Sequence, residues 1–217
     1  MKLPMFSAMR QAPKKQYRTL VADPPWRYNA PAYGYGADAN YPTMTVPELL
    51  SMPVGLWATE KAHLYLWTTN SFLVEAHQIA KAWGFDPKTV LTWIKRHEPN
   101  DPEHLTVYDD KWLGMGHYFR GVTEHVVFAT RGNLDTRSKS EPNFFFAPRG
   151  QHSEKPDAFY DLVSRNSYGP FLDVFARKQR FIGETDFEVM DTFGNESFNF
   201  GTSLPAEAFT SPEEAAT

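Results

Sequence analysis

Short apolar runs separated by helical patterns constrain this chain more than any other feature. Residues 19–22 (TLVA), 63–68 (HLYLWT), 89–95 (TVLTWIK), 125–130 (HVVFAT) and 170–176 (PFLDVFA) are apolar or β-branched almost throughout. Runs this short read as strands buried on both faces, the pattern of a parallel sheet. A last strand is expected over 187–193. Helical signals lie between these runs. Thr45-Val46-Pro47-Glu48 has the spacing of a capping box with proline in the first turn. Ser71 is placed to cap a helix whose apolar positions Phe72, Leu73, Ala76, Ile79, Ala80 and Trp83 recur at helical spacing, and Gly84 supplies its stop. Ser153 is placed to cap another helix running to about Asn166, with Pro156 in its first turn. The alternation implies an α/β fold, a mostly parallel sheet flanked by helices. In such sheets ligands gather outside the carboxyl ends of the strands. Asp23 closes the first strand and Arg177 follows the one at 170–176, so these two ends are where chemistry is expected.

The chain has 217 residues, enough for one core of this kind. Residues 1–16 read as a flexible arm, 17–200 as a single domain and 201–217 as a disordered tail. Residues 27–43, rich in Gly, Ala, Tyr and Asn, read as a mobile loop, and 96–120 as a long polar one. Residues 133–150 show no clear periodicity. The absence of cysteine removes disulfides, Cys-based zinc sites and thiol nucleophiles together. The first residues hold no long apolar run, so neither a signal peptide nor a membrane span is expected, and a cytoplasmic protein follows by elimination. A formal charge of −4 gives no general attraction for nucleic acid, which would need a local basic face. Arg10, Lys14, Lys15 and Arg18 are one candidate set, and Arg131, Arg137, Lys139 and Arg149 another. A solvated surface is the plainer reading of both.

Asp23-Pro24-Pro25-Trp26 is the segment that asks for a chemical explanation. The exocyclic amine of a nucleobase is a poor nucleophile, because its lone pair is delocalised into the ring. A carboxylate and a backbone carbonyl, both acceptors, can hold its N–H groups and favour a more tetrahedral nitrogen. Asp23 supplies the carboxylate. The Pro24 carbonyl is held rigidly, since proline fixes its own φ and restricts its neighbour. Trp26 offers an aromatic face on which a purine can stack. The competing reading is an ordinary turn after a strand.

DPPW followed by YPTM resembles the MT-A70 family of adenine-N6 methyltransferases, which use S-adenosylmethionine. The resemblance continues through LYLWTTNSFLVEAHQIAKAWGF and TWIK, through GMGHYFRGVTEHVVFATRGN and HSEKPDAFYDLVSRNS, and through FLDVFARKQR and FGNE. These segments stand in family order over residues 19–196. The resemblance implies a Rossmann-like methyltransferase fold and assigns roles by position. Asp23 would hold the target amine beside the methionine moiety of the cofactor, Pro24 would supply the backbone acceptor, Pro25 would complete the catalytic turn, and Trp26 would form the base-facing wall. Lys155 would pair with the cofactor carboxylate. Arg177, Gln179 and Arg180 would surround the ribose, Asn195 and Glu196 would touch ribose and adenine, and Asp173 takes the acidic position of the cofactor strand. The sequence departs from the family in two places: Glu196 stands where some relatives have Gln, and no acid precedes Asp23.

Several residues have looser assignments. Tyr28, Tyr33, Tyr35 and Tyr41 read either as a lid over the base, hinged at Gly34 and Gly36, or as loop packing. Lys95, Arg120 and Glu124 either line the substrate pocket or form structural ion pairs. No metal site is expected, since His117 and His125 lack zinc spacing and no HExxH occurs. The resulting expectation is methyl transfer to adenine N6 in DNA, with the base flipped out or single-stranded. The small size is that of a stand-alone bacterial or phage enzyme. RNA adenine, cytosine N4 and a catalytically silent nucleic-acid-binding subunit remain alternatives. Recognition sequence, a homodimer and a partner subunit are left open.

Overall fold

The computed structural model describes residues 15–28, 43–96, 118–119, 121–150, 154–176, 180–182 and 188–193. Among the described residues there are eight strands: β1 (Tyr17–Ala22), β2 (Ala58–Thr68), β3 (Asp86–Arg96), β4 (Thr123–Arg131), β5 (Phe144–Pro148), β6 (Phe171–Val174), β7 (Arg180–Ile182) and β8 (Glu188–Phe193). They form one sheet in the order β5-β3-β4-β2-β1-β6-β8-β7. Three α-helices accompany them: α1 (Val46–Leu50), α2 (Leu73–Ala82) and α3 (Asp157–Asn166). The fold is the expected Rossmann-like α/β arrangement.

Side-chain alternation shows why the central runs have no polar face. Leu20 and Ala22 of β1, Leu64 and Leu66 of β2, and Val127 and Ala129 of β4 pack with Ala76, Ile79 and Ala80 of α2. Their neighbours Val21, Tyr65, Trp67, Val126 and Phe128 pack on the other side, with Phe159, Leu162 and Val163 of α3. Each strand thus feeds two cores at its period of two. Trp57, Trp67, Trp83 and Trp93 are all fully buried. Each contributes roughly 4–6 kcal/mol of gross burial, large beside the net stability of a domain, about 5–15 kcal/mol. Some indoles also tie elements together through their polar end. Trp83 Nε1 donates to the Leu49 carbonyl at 2.8 Å, joining α2 to α1, and Trp93 Nε1 donates to the Ala147 carbonyl at 3.0 Å, joining β3 to β5.

Four of the seven neighbour pairings are parallel (β1–β2, β1–β6, β3–β5, β6–β8) and three antiparallel (β2–β4, β3–β4, β7–β8). The reversal of β4 positions the site, because it brings the start of β4 beside the ends of β2 and β3.

Local signals hold in detail at some ends and not at others. Thr45 caps α1 with both capping-box bonds. Gly84 has φ +84, and the Phe85 and Gly84 amides bond the Ala80 and Lys81 carbonyls, a Schellman closure of α2. Ser71 does not cap α2. It lies within a 3-10 turn, Asn70–Phe72, and the helix begins at Leu73 without a side-chain cap. α3 begins at Asp157, with Pro156 in extended conformation at its N-cap rather than inside the first turn; Ser153 lies outside the described residues. β2 and β3 begin earlier than their apolar cores, each across a register irregularity. β5 lies in the stretch that showed no periodicity.

Candidate active site

The DPPW turn is held on three sides. The Asp23 amide donates to the Val174 carbonyl of β6 at 3.3 Å, the Met44 amide to the Pro25 carbonyl at 2.7 Å, and the Arg27 amide to the Met44 carbonyl at 3.0 Å. The Trp26 amide donates to the Pro24 carbonyl at 2.9 Å. A carbonyl has two lone pairs, so this bond leaves an acceptor site on the oxygen expected to receive an amine.

Trp26, expected as the base-facing wall, is seated inward in this structure. The residue is only 6% exposed and belongs to the core on the α2 side. One face stacks on Phe72, with centroids 4.8 Å apart at 16°, and Nε1 donates to the Trp67 carbonyl at 3.2 Å. In this arrangement the indole braces the turn and offers no open face to a base. Tyr28 follows two residues later. It is exposed, packs edge-on against Phe72 at 4.9 Å and shares a 2.8 Å hydrogen bond with the Thr69 hydroxyl.

Beside Asp23 stands a chain of alternating charges. Lys155 Nζ is 3.1 Å from Asp23 Oδ2 and 3.1 Å from Glu124 Oε2. Lys95 Nζ is 2.6 Å from the other Glu124 oxygen, Oε1. Asp23 follows β1, Lys95 lies near the end of β3, Glu124 near the start of β4, and Lys155 just before α3. The cluster therefore sits beside the carboxyl ends of β1 and β3. Both ammonium groups also lie over indole rings, Lys155 over Trp67 at 4.9 Å and Lys95 over Trp93 at 5.0 Å. Burial disfavours the Lys155 ammonium, but Asp23 and Glu124 outweigh it and raise the pKa above the ordinary lysine value. Burial likewise pushes the Glu124 carboxyl up, and Lys155 and Lys95 more than reverse this, holding it below the usual carboxylate range. Both groups are charged at neutral pH.

Of the other candidates, Asp173 is buried on β6 and accepts a 3.0 Å bond from the Tyr160 hydroxyl. Arg180 is placed as the first residue of β7. Tyr33, Tyr35, Tyr41, Arg120, Arg177, Gln179, Asn195 and Glu196 lie outside the described residues. Sequence reasoning missed Trp67, Trp93, Phe72 and Tyr160, which seat the charged groups and the turn. Trp67 and Trp93 lie towards strand ends, Phe72 in the turn before α2 and Tyr160 within α3, positions where an aromatic residue reads equally as core. Among the described residues no group of three or more His, Asp or Glu is placed to hold a metal. No helix among them is long and apolar enough to cross a membrane.

The sequence model of the MT-A70 family matches residues 17–188. The chain belongs to the MT-A70 family. A relative, the type II methyltransferase M.MunI of a Mycoplasma species, is 28% identical over 205 residues, covering 83% of this chain and 80% of the relative. Membership makes the chain a methyltransferase and implies use of S-adenosylmethionine. The charged groups of this MT-A70 site suit the zwitterionic methionine end of that cofactor, with an ammonium at Lys155 for its carboxylate and a carboxylate at Asp23 for its cationic centres.

Proposed function

We propose that this MT-A70 chain methylates the N6 amine of adenine in DNA. The supporting observation is the 3.1 Å ion pair between Asp23 and Lys155, residues far apart in sequence. Asp23 accepts an N–H of the amine, and the Pro24 carbonyl accepts from the same group. Lys155 holds one carboxylate oxygen; a carboxylate offers about four lone-pair sites, so that contact does not exhaust it. The amine is the nucleophile, and no covalent enzyme intermediate is needed. When bound, S-adenosylmethionine supplies the sulfonium methyl, and Lys155 and Asp23 hold its methionine end. Holding amine and electrophile in line removes much of the entropic cost of a bimolecular step. Asp23 then takes the proton that the methylated nitrogen sheds. DNA is preferred to RNA on the likeness to a type II methyltransferase. Within a duplex the base must leave the stack to reach Asp23.

The test is incubation with labelled S-adenosylmethionine and DNA or RNA, followed by digestion to nucleosides. N6-methyladenine from DNA supports the proposal. A labelled cytosine, or no labelled nucleoside from either polymer, defeats it.

A further inference from the structure

We propose that Lys95 is a positioning residue for methyl transfer: through Glu124 it fixes the Lys155 ammonium, and through Lys155 the rotation of the Asp23 carboxylate. The inference rests on the proposed role of Asp23.

Glu124 is a two-ended bridge. Lys95 holds Oε1 at 2.6 Å and Lys155 holds Oε2 at 3.1 Å. Neither cation can shift its grip without turning the carboxylate under the other. The bridge has a rigid base. Trp93 and Glu124 are direct partners in the β3–β4 register. Trp93, under Lys95, meets Trp67, under Lys155, edge to face at 6.1 Å. The two ammonium groups are thus seated on a packed pair of indoles, with Glu124 between them.

The charges balance as two cations and two anions. Without Lys95 the remaining three would carry a net negative charge, and one Glu124 oxygen would lose its ion partner in a site where its side chain is 21% exposed. An adjacent opposite charge moves a carboxyl pKa by about 1–3 units. Glu124 without Lys95 would therefore take up a proton at higher pH. A protonated Glu124 attracts the ammonium less, and Lys155 then holds Asp23 in a looser range of orientations. The Lys95 ammonium is engaged by Glu124 and the Trp93 ring, the groups through which the proposed effect passes.

The experiment compares wild type, Lys95→Met and Lys95→Arg in two ways. One is kcat against pH at saturating substrates. The other is the carboxyl 13C resonances of Glu124 and Asp23 against pH, in protein without substrate. In Lys95→Met the Glu124 midpoint and the acid limb of kcat are both expected to rise by about 1 unit or more, with the Asp23 resonance responding at the new Glu124 midpoint. Lys95→Arg is expected to restore both. A kcat profile that stays in place while the Glu124 midpoint moves overturns the proposal, since the pair is then structural only. A defect confined to KM for the nucleic acid overturns it too, marking Lys95 as a phosphate contact. A wild-type protein that forms no N6-methyladenine defeats the adenine reading instead. The resonances then decide the linkage, and an Asp23 signal blind to Lys95→Met overturns it.

Discussion

Helix α3 has a polar network at each end, and the two are built on opposite principles. Before its N-terminus stand Asp23, Lys155, Glu124 and Lys95, four full charges linked in that order by three ion pairs. Past its C-terminus stand Ser167, Tyr65 and His63, all buried and all neutral. Leu134 can only accept, so His63 Nε2 carries the proton given to that carbonyl at 3.0 Å, and Nδ1 accepts from Ser167 Oγ at 2.8 Å. Ser167 in turn accepts from the Tyr65 hydroxyl at 2.7 Å. Every donor in that chain has one acceptor, and the chain pins the segment after β4 to the end of α3. The Arg137 amide reinforces it with a 2.9 Å bond to the Asn166 carbonyl. A satisfied neutral network adds rigidity at little desolvation cost. Four partly buried charges are a poor way to gain stability, because desolvation offsets much of their attraction. Their presence at the strand ends is therefore better explained by chemistry than by folding.

The largest expected effect is at the charged end. Asp23→Asn should lower methyl transfer by roughly 10³-fold, on the scale of losing a preorganised electrostatic contact, while leaving the thermal melting curve close to wild type. An active Asp23→Asn protein would remove the distinction between the two ends. Lys155→Met should also abolish turnover. It leaves two carboxylates facing each other with one cation, so unfolding by urea should show a loss of about 2 kcal/mol. That is less than the 3–5 kcal/mol of a fully buried broken pair, since Asp23 keeps 33% of its side chain in water.

At the neutral end the pattern should invert. Ser167→Ala strands the Tyr65 hydroxyl and the His63 ring and should cost about 1–3 kcal/mol in stability, with turnover per folded molecule unchanged. A loss of turnover at full occupancy of the folded state would show that the neutral network reaches the site. The smallest effect is a pH dependence. Burial lowers the His63 pKa below its ordinary 6.5, the bond to Leu134 works the other way, and Arg18 adds to the lowering. Folding favours the neutral ring, so its contribution is complete above the unfolded value and declines as pH falls below it. Urea midpoints measured from pH 8 to 5 should fall below about pH 6.5, and less steeply in His63→Leu.

Much of this was legible in the sequence, for reasons that differ by residue. The apolar runs mark β1, β2, β4 and β6 because a strand buried on both faces has few polar positions to blur it, whereas β3 is buried only at alternate positions, Leu91 and Trp93. Thr45 and Gly84 read correctly because their bonds are local. Ser71 misled because Phe72, next to it, is drawn onto Trp26 and the chain takes a tight turn first. β5 was hidden because it is an edge strand with Phe144 and Phe146 facing outward, which erases the alternation. The Rossmann-like class followed from strand and helix order, but the reversal of β4 did not, since direction leaves no mark on composition. Asp23 and Lys155 stood out by motif. Their bridge through Glu124 to Lys95 depends on which strands are neighbours, and the sequence does not state that.

Trp67 has a consequence for tolerance to change. Its carbonyl receives the Trp26 indole, its ring carries Lys155, and the preceding residue pairs with Ala22, next to Asp23. The acid and the ammonium are thus both indexed to the same point on β2. A mutation elsewhere that tilts this strand carries both partners along in the same direction, so the gap between them is insulated from ordinary breathing of the sheet.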